Sequence, residues 1–329
     1  MEAFLSFAHS LLALFGIFSN FLLIYLCLFK APRVFRIYSV LILSHAVTDF
    51  GTCITDLFGQ PRLIPCDRTI AVVSNGLCKH FSSGSCFVLY TIQLHFLTHS
   101  LYLLLISFSY RFYVLHKPAP KIKVLASIIF LFYIPSLFQM ITLLINPRSD
   151  PSRILHLIQQ RFPNYHLDTS SINGYEDLTQ FAPFFAILHA TLPTLPIYAA
   201  ILTLRNRIMV TLERKKRHMG PETREMHSQL LKALSAQAVL PAIITLSILC
   251  FVIGQLRLLN SPILEYLTFL IVLLVPTFSP LISFVYIRPF REVILKMLKS
   301  LKYLKPIGLT RRRVMPKTSG NSNSIPAMS

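Results

Sequence analysis

Polar and ionisable side chains stand inside long apolar runs of this sequence, and their chemistry needs an explanation. His45, Asp49 and Asp56 follow one another at offsets of four and seven residues, which places them on one face of a helix. Asn20 and Ser279 stand near the middle of two other apolar runs. We predict an interior hydrogen-bonded cluster that contains Asn20, His45, Asp49 and Ser279, with a packing cluster that has no signalling role as the alternative.

A second set of polar residues raises the question of a metal or ligand site. His95 and His99 have the i, i+4 spacing of two metal ligands, but no acidic residue completes a metalloprotease motif, and two ligands do not make a zinc site. We therefore expect no metal. Two roles stay open for these polar residues. They either form ordinary hydrogen bonds between helices or contact a small, largely uncharged ligand. The candidate ligand contacts are Gln93, His95, His99, Phe184, Phe185, His189 and Tyr266.

The composition excludes most soluble functions. Of the 329 residues 53% are hydrophobic and only 14% are charged, yet the net charge is +19. A soluble domain carries roughly 25% charged residues, so the charge here must be confined to short connectors between apolar segments. This pattern indicates an integral membrane protein and argues against a soluble enzyme, a disordered chain and a nucleic-acid binder. No Walker loop, dinucleotide fingerprint or nucleophile elbow is present, and we predict neither enzyme activity nor a cofactor.

Seven apolar segments have the length needed to cross a bilayer. They cover about 8–29, 38–60, 87–110, 124–145, 181–204, 233–256 and 263–287. The sequence therefore predicts an all-α integral membrane protein, a bundle of seven transmembrane helices. The third segment is polar on two faces, so we expect it to be the central helix of the bundle.

The connector charges predict the orientation. Connectors at 30–37, 111–123 and 205–232 and the tail from 288 hold 25 of the 32 Lys and Arg residues, and the alternate connectors hold 7. Because basic residues stay cytoplasmic, we predict an outside N-terminus and a cytoplasmic C-terminus. The seven-helix domain spans 1–305 and includes an amphipathic basic helix at 288–305 on the inner leaflet, and 306–329 is expected to be a disordered basic tail.

Basic residues at the predicted cytoplasmic face are candidates for contact with a signalling partner. Arg111, next to Tyr110, ends the third segment and either extends to water or holds the helix ends together until a ligand shifts the population. The basic run of the 205–232 connector is either a solvated anchor or a docking surface. The candidate coupling residues are Tyr110, Arg111, Arg214, Lys215, Lys216 and Arg217.

The outer connectors contain three cysteines and one long loop. Cys66, Cys78 and Cys86 lie in an oxidising compartment if the orientation is right, and we expect one bridge, between Cys66 and either Cys78 or Cys86. The loop at 146–180 is long enough to cover a ligand pocket.

Several short motifs, in order along the chain, resemble those of seven-helix G-protein-coupled receptors, and more closely the nematode serpentine chemoreceptors of class delta. The likeness covers about residues 8–305. The motifs that carry it are Gly16 to Asn20, Ser44 to Asp49, Tyr110 to Leu115, Ala236 to Pro241, Pro276 to Leu281, Ile287 to Arg291 and Phe162 to Tyr165.

The resemblance implies chemosensory signalling through a heterotrimeric G protein, at the plasma membrane of a sensory neuron and in its cilium. The expected partners are a small-molecule chemical cue, the G protein and membrane lipid, and a homo- or heterodimer is left open. Tyr110 stands where rhodopsin-like receptors have an acidic residue, Ser279-Pro280 replaces Asn-Pro, and the chain has no tryptophan. These departures put the rhodopsin-type locking mechanism in doubt. An odorant-gated channel, a small transporter or a non-signalling subunit are the alternatives.

Overall fold

The computed structural model describes residues 2–31, 36–215, 220, 232–233, 235–259 and 261–303. Its helices, numbered here in chain order, are α1 Glu2–Phe29, α2 Arg36–Gly59, α3 Ser83–Val114, α4 Ile122–Ile145, α5 Pro151–Arg161, α6 Phe181–Thr191, α7 Thr194–Lys215, α8 Leu240–Gln255, α9 Pro262–Tyr286 and α10 Arg288–Tyr303. Three strands, β1 Pro61–Cys66, β2 Thr69–Ser74 and β3 Ile172–Tyr175, form one antiparallel sheet in that order.

The prediction of seven spans is confirmed, because seven helical stretches of the described chain are long and apolar enough to cross a membrane. The fifth stretch consists of α6 and α7, which are separated by a short turn at Leu192 and Pro193. Proline lacks the N–H that a continuous helix needs, so a break at this position has a local cause. Three helices begin with a side-chain cap: Ser82 for α3, Asp150 for α5 and Ser261 for α9.

The spans form a bundle with α3 at its centre, as its two polar faces predict. This helix packs against α2, α4, α6 and α7 and against β3, and α1 closes the bundle by packing on both α2 and α9. Gly16 of α1 lies so close to Cys53 of α2 and Thr277 of α9 that a Cβ atom would collide with Cys53 Sγ. Glycine therefore allows three helices to meet at this depth.

The sheet covers one end of the bundle, here called the sheet end, and the opposite end carries α10. The connector after α2 forms the hairpin β1–β2 through a two-residue turn, with Asp67 at a φ of 58°. The connector after α4 supplies α5 and β3. A small core between the sheet and α5 contains Ile64, Val73, Ile154, Ile158 and Ile172. The connectors after α2 and α4 are thus parts of one cover.

The structure corrects the predicted disulfide. Cys78 is bridged to Cys86, with Cα atoms 5.1 Å apart, and Cys66 is a free, buried thiol. Cys66 ends β1 at the hairpin turn, whereas Cys78 follows the far end of β2. Five steps of about 3.3 Å along a strand separate these ends by roughly 16 Å, which is too far for a bridge. The expectation of a pairing with Cys66 was wrong, because the hairpin holds Cys66 at the opposite end from Cys78.

The amphipathic helix after the last span is present as α10. Its apolar face inserts Phe290, with Val293 and Ile294 at its side, into a core formed by the nearby ends of α1 and α2. Leu26 and Leu41 are buried in that core. The helix is therefore anchored to the bundle itself. Residues 306–329, predicted to be disordered, lie outside the described residues.

Candidate ligand-binding site

A cavity of about 140 Å³ lies directly beneath the sheet, among α3, α6, α8 and α9. Its floor and sides are aliphatic and aromatic, because each of these helices turns an apolar stripe toward the bundle axis. The main contributors are Leu63, Ile70 and Val72 of the sheet, Phe87, Tyr90, Leu94 and Leu97 of α3, Ala186 and Ile187 of α6, Ile244, Ile248 and Phe251 of α8, and Phe269 and Val272 of α9.

The sheet separates this cavity from α5 through the ordinary alternation of strand side chains. Leu63 and Val72, which are paired across the strands, point into the cavity, and their neighbours Ile64 and Val73 point toward α5. Gly174 of β3 has a φ of 145°, and a Cβ atom there would collide with the carbonyl of Ile70. Only glycine fits this place in the sheet. We call the three strands the roof.

A buried charged cluster fastens the roof to α9. Arg62 of β1 is 3% exposed, and its Nε and Nη2 each lie 2.8 Å from the Glu265 carboxylate. Tyr165 donates a hydrogen bond of 2.9 Å to the other oxygen of that carboxylate. The rings of Tyr165 and Tyr266 lie 4.9 and 4.8 Å from the guanidinium carbon. We call these four residues the Arg62 cluster.

The local electrostatics agree with a fixed ion pair. Burial lowers the pKa of the Arg62 guanidinium, but the charge of Glu265, its hydrogen bond and the phenols of Tyr266 and Tyr165 together outweigh this effect and leave the pKa above its ordinary value. Burial and the same carboxylate raise the pKa of Tyr165 to about 12, so its phenol keeps the proton that it donates. Arg62 also contacts exposed Glu2 at 3.0 Å. The roof is thereby joined to α1, to α9 and to the connector after α4.

The structure does not bring the seven predicted ligand residues together, and none of them lines the cavity. Tyr266 belongs to the Arg62 cluster and accepts a hydrogen bond from Asn75. Gln93 donates a 2.9 Å hydrogen bond to Asp56, which also accepts one from His9 of α1. This buried group of Gln93, Asp56 and His9 joins the sheet ends of three helices.

The aromatic members of the predicted set lie between other helix pairs. His95 and His99 pack edge-to-face on Tyr133 of α4, with ring centroids 4.7 and 5.0 Å away. His189 accepts a hydrogen bond from Tyr102 and donates one to Gln139, which connects α6 with α3 and α4.

The two phenylalanines lie further out. Phe185 stacks on His189, and Phe184 is 52% exposed on the outside of the bundle. In the described ranges, no three His, Cys, Asp or Glu side chains come together as a metal site.

The predicted interior cluster divides into two separate contacts. Asp49 accepts a 3.1 Å hydrogen bond from Ser100 of α3 and lies 3.8 Å from His45 on its own helix. Asn20 instead donates to the backbone carbonyl of Pro276 at 2.9 Å. Ser279 is buried in α9, without a hydrogen bond to Asn20 or Asp49.

At the end that carries α10, Arg111 is buried although no acidic side chain pairs with it in the described part of the chain. Its guanidinium carbon lies 4.0 Å from the ring centre of Tyr38, and Tyr110 stacks on the same ring at 6.2 Å. The cation–π contact takes the place of an ion pair. Arg214 is exposed at the end of α7, which also contains Lys215. Lys216 and Arg217 lie outside the described residues.

Sequence reasoning missed the cavity wall, the roof and the Arg62 cluster. The run Thr69 to Ser74 is short, apolar and β-branched, which is the signal of a buried strand and not of a polar loop. Glu265 stands in the first turn of an apolar segment, where a buried carboxylate is costly unless a cation or a hydrogen-bond donor pairs with it. The partner, Arg62, is 203 residues away and only the fold identifies it.

Comparison with known proteins agrees with this architecture. The family described as "Serpentine type 7TM GPCR chemoreceptor Srd" matches residues 5–296. Serpentine receptor class delta-19 of Caenorhabditis elegans is 40% identical over 91% of this chain and 89% of its own length, and class delta-1 of the same organism is 32% identical over 86% and 78%.

Squid rhodopsin shares the fold, with a TM-score of 0.60, 14% identity and coverage of 90% of this chain and 85% of its own. The family match covers far more than half of the chain, and the sequence relatives and the seven-helix bundle agree with it. This multi-pass membrane protein belongs to the Srd family of serpentine seven-transmembrane chemoreceptors.

Proposed function

We propose that this protein is a chemosensory receptor that binds a small uncharged molecule in the cavity beneath the roof and signals to a heterotrimeric G protein. The cavity is the observation that carries the proposal. It is bordered by the sheet and by residues of α3, α4, α6, α7, α8 and α9, and its wall contains no acidic, basic or imidazole side chain among the residues that the structure describes. A charged ligand would lose its hydration there without gaining a partner.

The cavity wall replaces the seven residues chosen from the sequence as the proposed ligand contact. Phe269 and Val272 of α9, Ala186 of α6 and Phe251 of α8 belong to different helices that face the same space. A ligand in contact with all of them favours one relative position of these helices. The ligand then shifts the population between two arrangements of the bundle by the difference of its affinities for them.

The proposed partner surface is the opposite end of the bundle, at Tyr110, Arg111 and the basic run from Arg214. Arg111 Nε and Nη2 are buried and have no hydrogen-bond partner in the described part of the chain. Such a guanidinium is ready to donate hydrogen bonds to a carboxylate or a carbonyl when the helix ends separate. Tyr38, which covers it, would hold the resting arrangement.

The hydrogen-bonded group of Asp49, Ser100 and His45 lies between these two ends. Its bonds join α2 to α3 in the interior. In this proposal the group sets the balance between resting and active arrangements and does not contact the ligand, so Asp49→Asn changes basal activity and leaves ligand preference as it is.

The proposed location is the plasma membrane of a sensory neuron, in its cilium, with the sheet end outside. The charge distribution of the connectors supports this orientation. An outer sheet end would also place the Cys78–Cys86 bridge in an oxidising compartment, where disulfides persist.

The experiment that tests the coupling compares wild type with Arg111→Ala in cells that report G-protein activation. We expect Arg111→Ala to reach the surface and to lose at least about tenfold in response, since a charge-assisted hydrogen bond contributes about 1.5–3 kcal/mol. Arg207→Ala, at an exposed basic residue of α7 that lies outside this run, serves as the control and should lose less. Full signalling by Arg111→Ala at equal surface expression would remove Arg111 from the coupling role.

A further inference from the structure

The hydroxyl groups of the cavity wall differ in one respect that bears on the ligand. Seven hydroxyl side chains line the cavity, and six of them donate a hydrogen bond to a backbone carbonyl of the protein. Tyr175, for example, donates to Leu143 at 3.1 Å, and Thr191 donates to Ile187 at 2.7 Å. The six are Thr98, Tyr175, Thr191, Thr194, Ser247 and Thr268.

Tyr90 is the seventh, and its hydroxyl has no acceptor among the described residues. Its ring is held by Phe87 at 6.3 Å and by Phe269 at 5.9 Å between centroids, and both of these rings line the same cavity. The two neighbouring rings therefore hold the Tyr90 ring in place. Its hydroxyl group has no acceptor among the described residues of the cavity wall. Tyr90 is half-buried, and its hydroxyl, which makes no hydrogen bond within the described part of the chain, is left available to an acceptor on a ligand.

We infer that Tyr90 Oη is the donor that recognises the ligand, and that the ligand is an apolar molecule with a neutral acceptor oxygen, such as a ketone, an aldehyde or an ester. The inference rests on the proposed ligand role of the cavity. The other six hydroxyl protons are already used, so an acceptor oxygen finds an unused side-chain donor only at Tyr90 among the described wall residues. The hydrocarbon surface of the wall accommodates the rest of the molecule.

This assignment also predicts which molecules the site rejects. A hydrocarbon of the same shape fills the space but leaves Tyr90 without an acceptor. A carboxylate could accept the hydrogen bond, but its charge would be buried without a basic partner. The geometry therefore selects for functional group as well as for size.

The test uses purified receptor and a matched pair of probes, so it needs no knowledge of the natural ligand. The probes are methyl ketones of increasing chain length and their isosteric hydrocarbons, in which a methylidene group replaces the carbonyl oxygen. Binding is measured as ligand-dependent thermal stabilisation of the full chain in lipid nanodiscs. The variants are Tyr90→Phe and, as the control, Tyr175→Phe, which removes a hydroxyl that the protein itself already binds.

We expect wild type to bind the best ketone about tenfold more tightly than its hydrocarbon, which corresponds to about 1.4 kcal/mol. Tyr90→Phe should abolish this preference without lowering the stability of the ligand-free receptor, because the hydroxyl has no partner in the protein. Tyr175→Phe should keep the preference.

Equal binding of ketone and hydrocarbon by wild type, or an unchanged preference in Tyr90→Phe, would overturn the inference and leave the proposed function standing. If wild type binds no member of either series, the result counts against the inference about Tyr90 and also against the proposed function. The cavity would then not accept apolar molecules at all.

Discussion

Asn20 is a buried polar residue that donates a hydrogen bond to the backbone of another helix. Pro280 has no N–H, so the carbonyl of Pro276, four residues earlier in α9, lacks its helical partner. Asn20 Nδ2 of α1 donates to that carbonyl at 2.9 Å. The sequence located Asn20 near mid-span but assigned it to a cluster with Asp49, because side-chain depth alone does not distinguish a carboxylate partner from a backbone one.

We predict that Asn20→Ala lowers the stability of the receptor by about 1–3 kcal/mol, the cost of a buried carbonyl that loses its donor. Thermal unfolding of the purified protein measures the effect. Ser19→Ala is the matched control, because Ser19 is equally buried but donates only to carbonyls of its own helix. Equal losses for the two substitutions would contradict the assigned role of Asn20.

The roof is the element that distinguishes this bundle from a plain set of seven helices. Two connectors that are separated by α3 and α4 contribute strands to one sheet. Helix positions follow from the length of apolar runs, so the seven spans and the central place of α3 could be predicted from the sequence. The pairing of β2 with β3 joins residues about a hundred positions apart, and no local pattern specifies it.

We predict that Arg62→Ala destabilises the roof by about 3–5 kcal/mol, because it leaves the Glu265 carboxylate buried without its cation. The loss should appear as a lower unfolding temperature. The double variant Arg62→Met with Glu265→Gln removes both charges and should lose less than Arg62→Ala alone. A double variant that is less stable than the single one would show that the ion pair is not the source of the effect.

The seven residues chosen from the sequence as ligand contacts are not the residues that line the cavity. Gln93, His95 and His189 were chosen because polar side chains inside a membrane usually have a functional role. Each of them instead contacts a side chain of a neighbouring helix. The cavity wall consists of ordinary apolar residues such as Ile187 and Val272, which look like packing residues in any sequence. A space between helices has no sequence signature of its own.

At the scale of the whole molecule, the account depends on which end of the bundle faces the cell exterior. The connectors at the α10 end hold most of the basic residues, so we predict that this end is cytoplasmic. An epitope tag on the C-terminus should stain only in permeabilised cells, and a tag on the N-terminus should stain in intact ones. C-terminal staining of intact cells would reverse the orientation and favour an inverted channel over a receptor.

The central claim is that occupation of the cavity beneath the roof drives signalling. Ala186 lines this cavity and is 5% exposed, whereas Leu188, two residues along the same helix, is 39% exposed on the outer surface. Ala186→Phe places a ring in a space of about 140 Å³, and Leu188→Phe places the same ring outside it.

The measurement that tests the claim most directly is G-protein activation by a panel of volatile ketones, esters and hydrocarbons, for wild type and both variants at equal surface expression. We predict a response by wild type and by Leu188→Phe and a loss of at least about tenfold in potency for Ala186→Phe, since overpacking and exclusion of the ligand act together. An undiminished response of Ala186→Phe, or a surface-expressed wild type that answers no compound of the panel, would contradict the account.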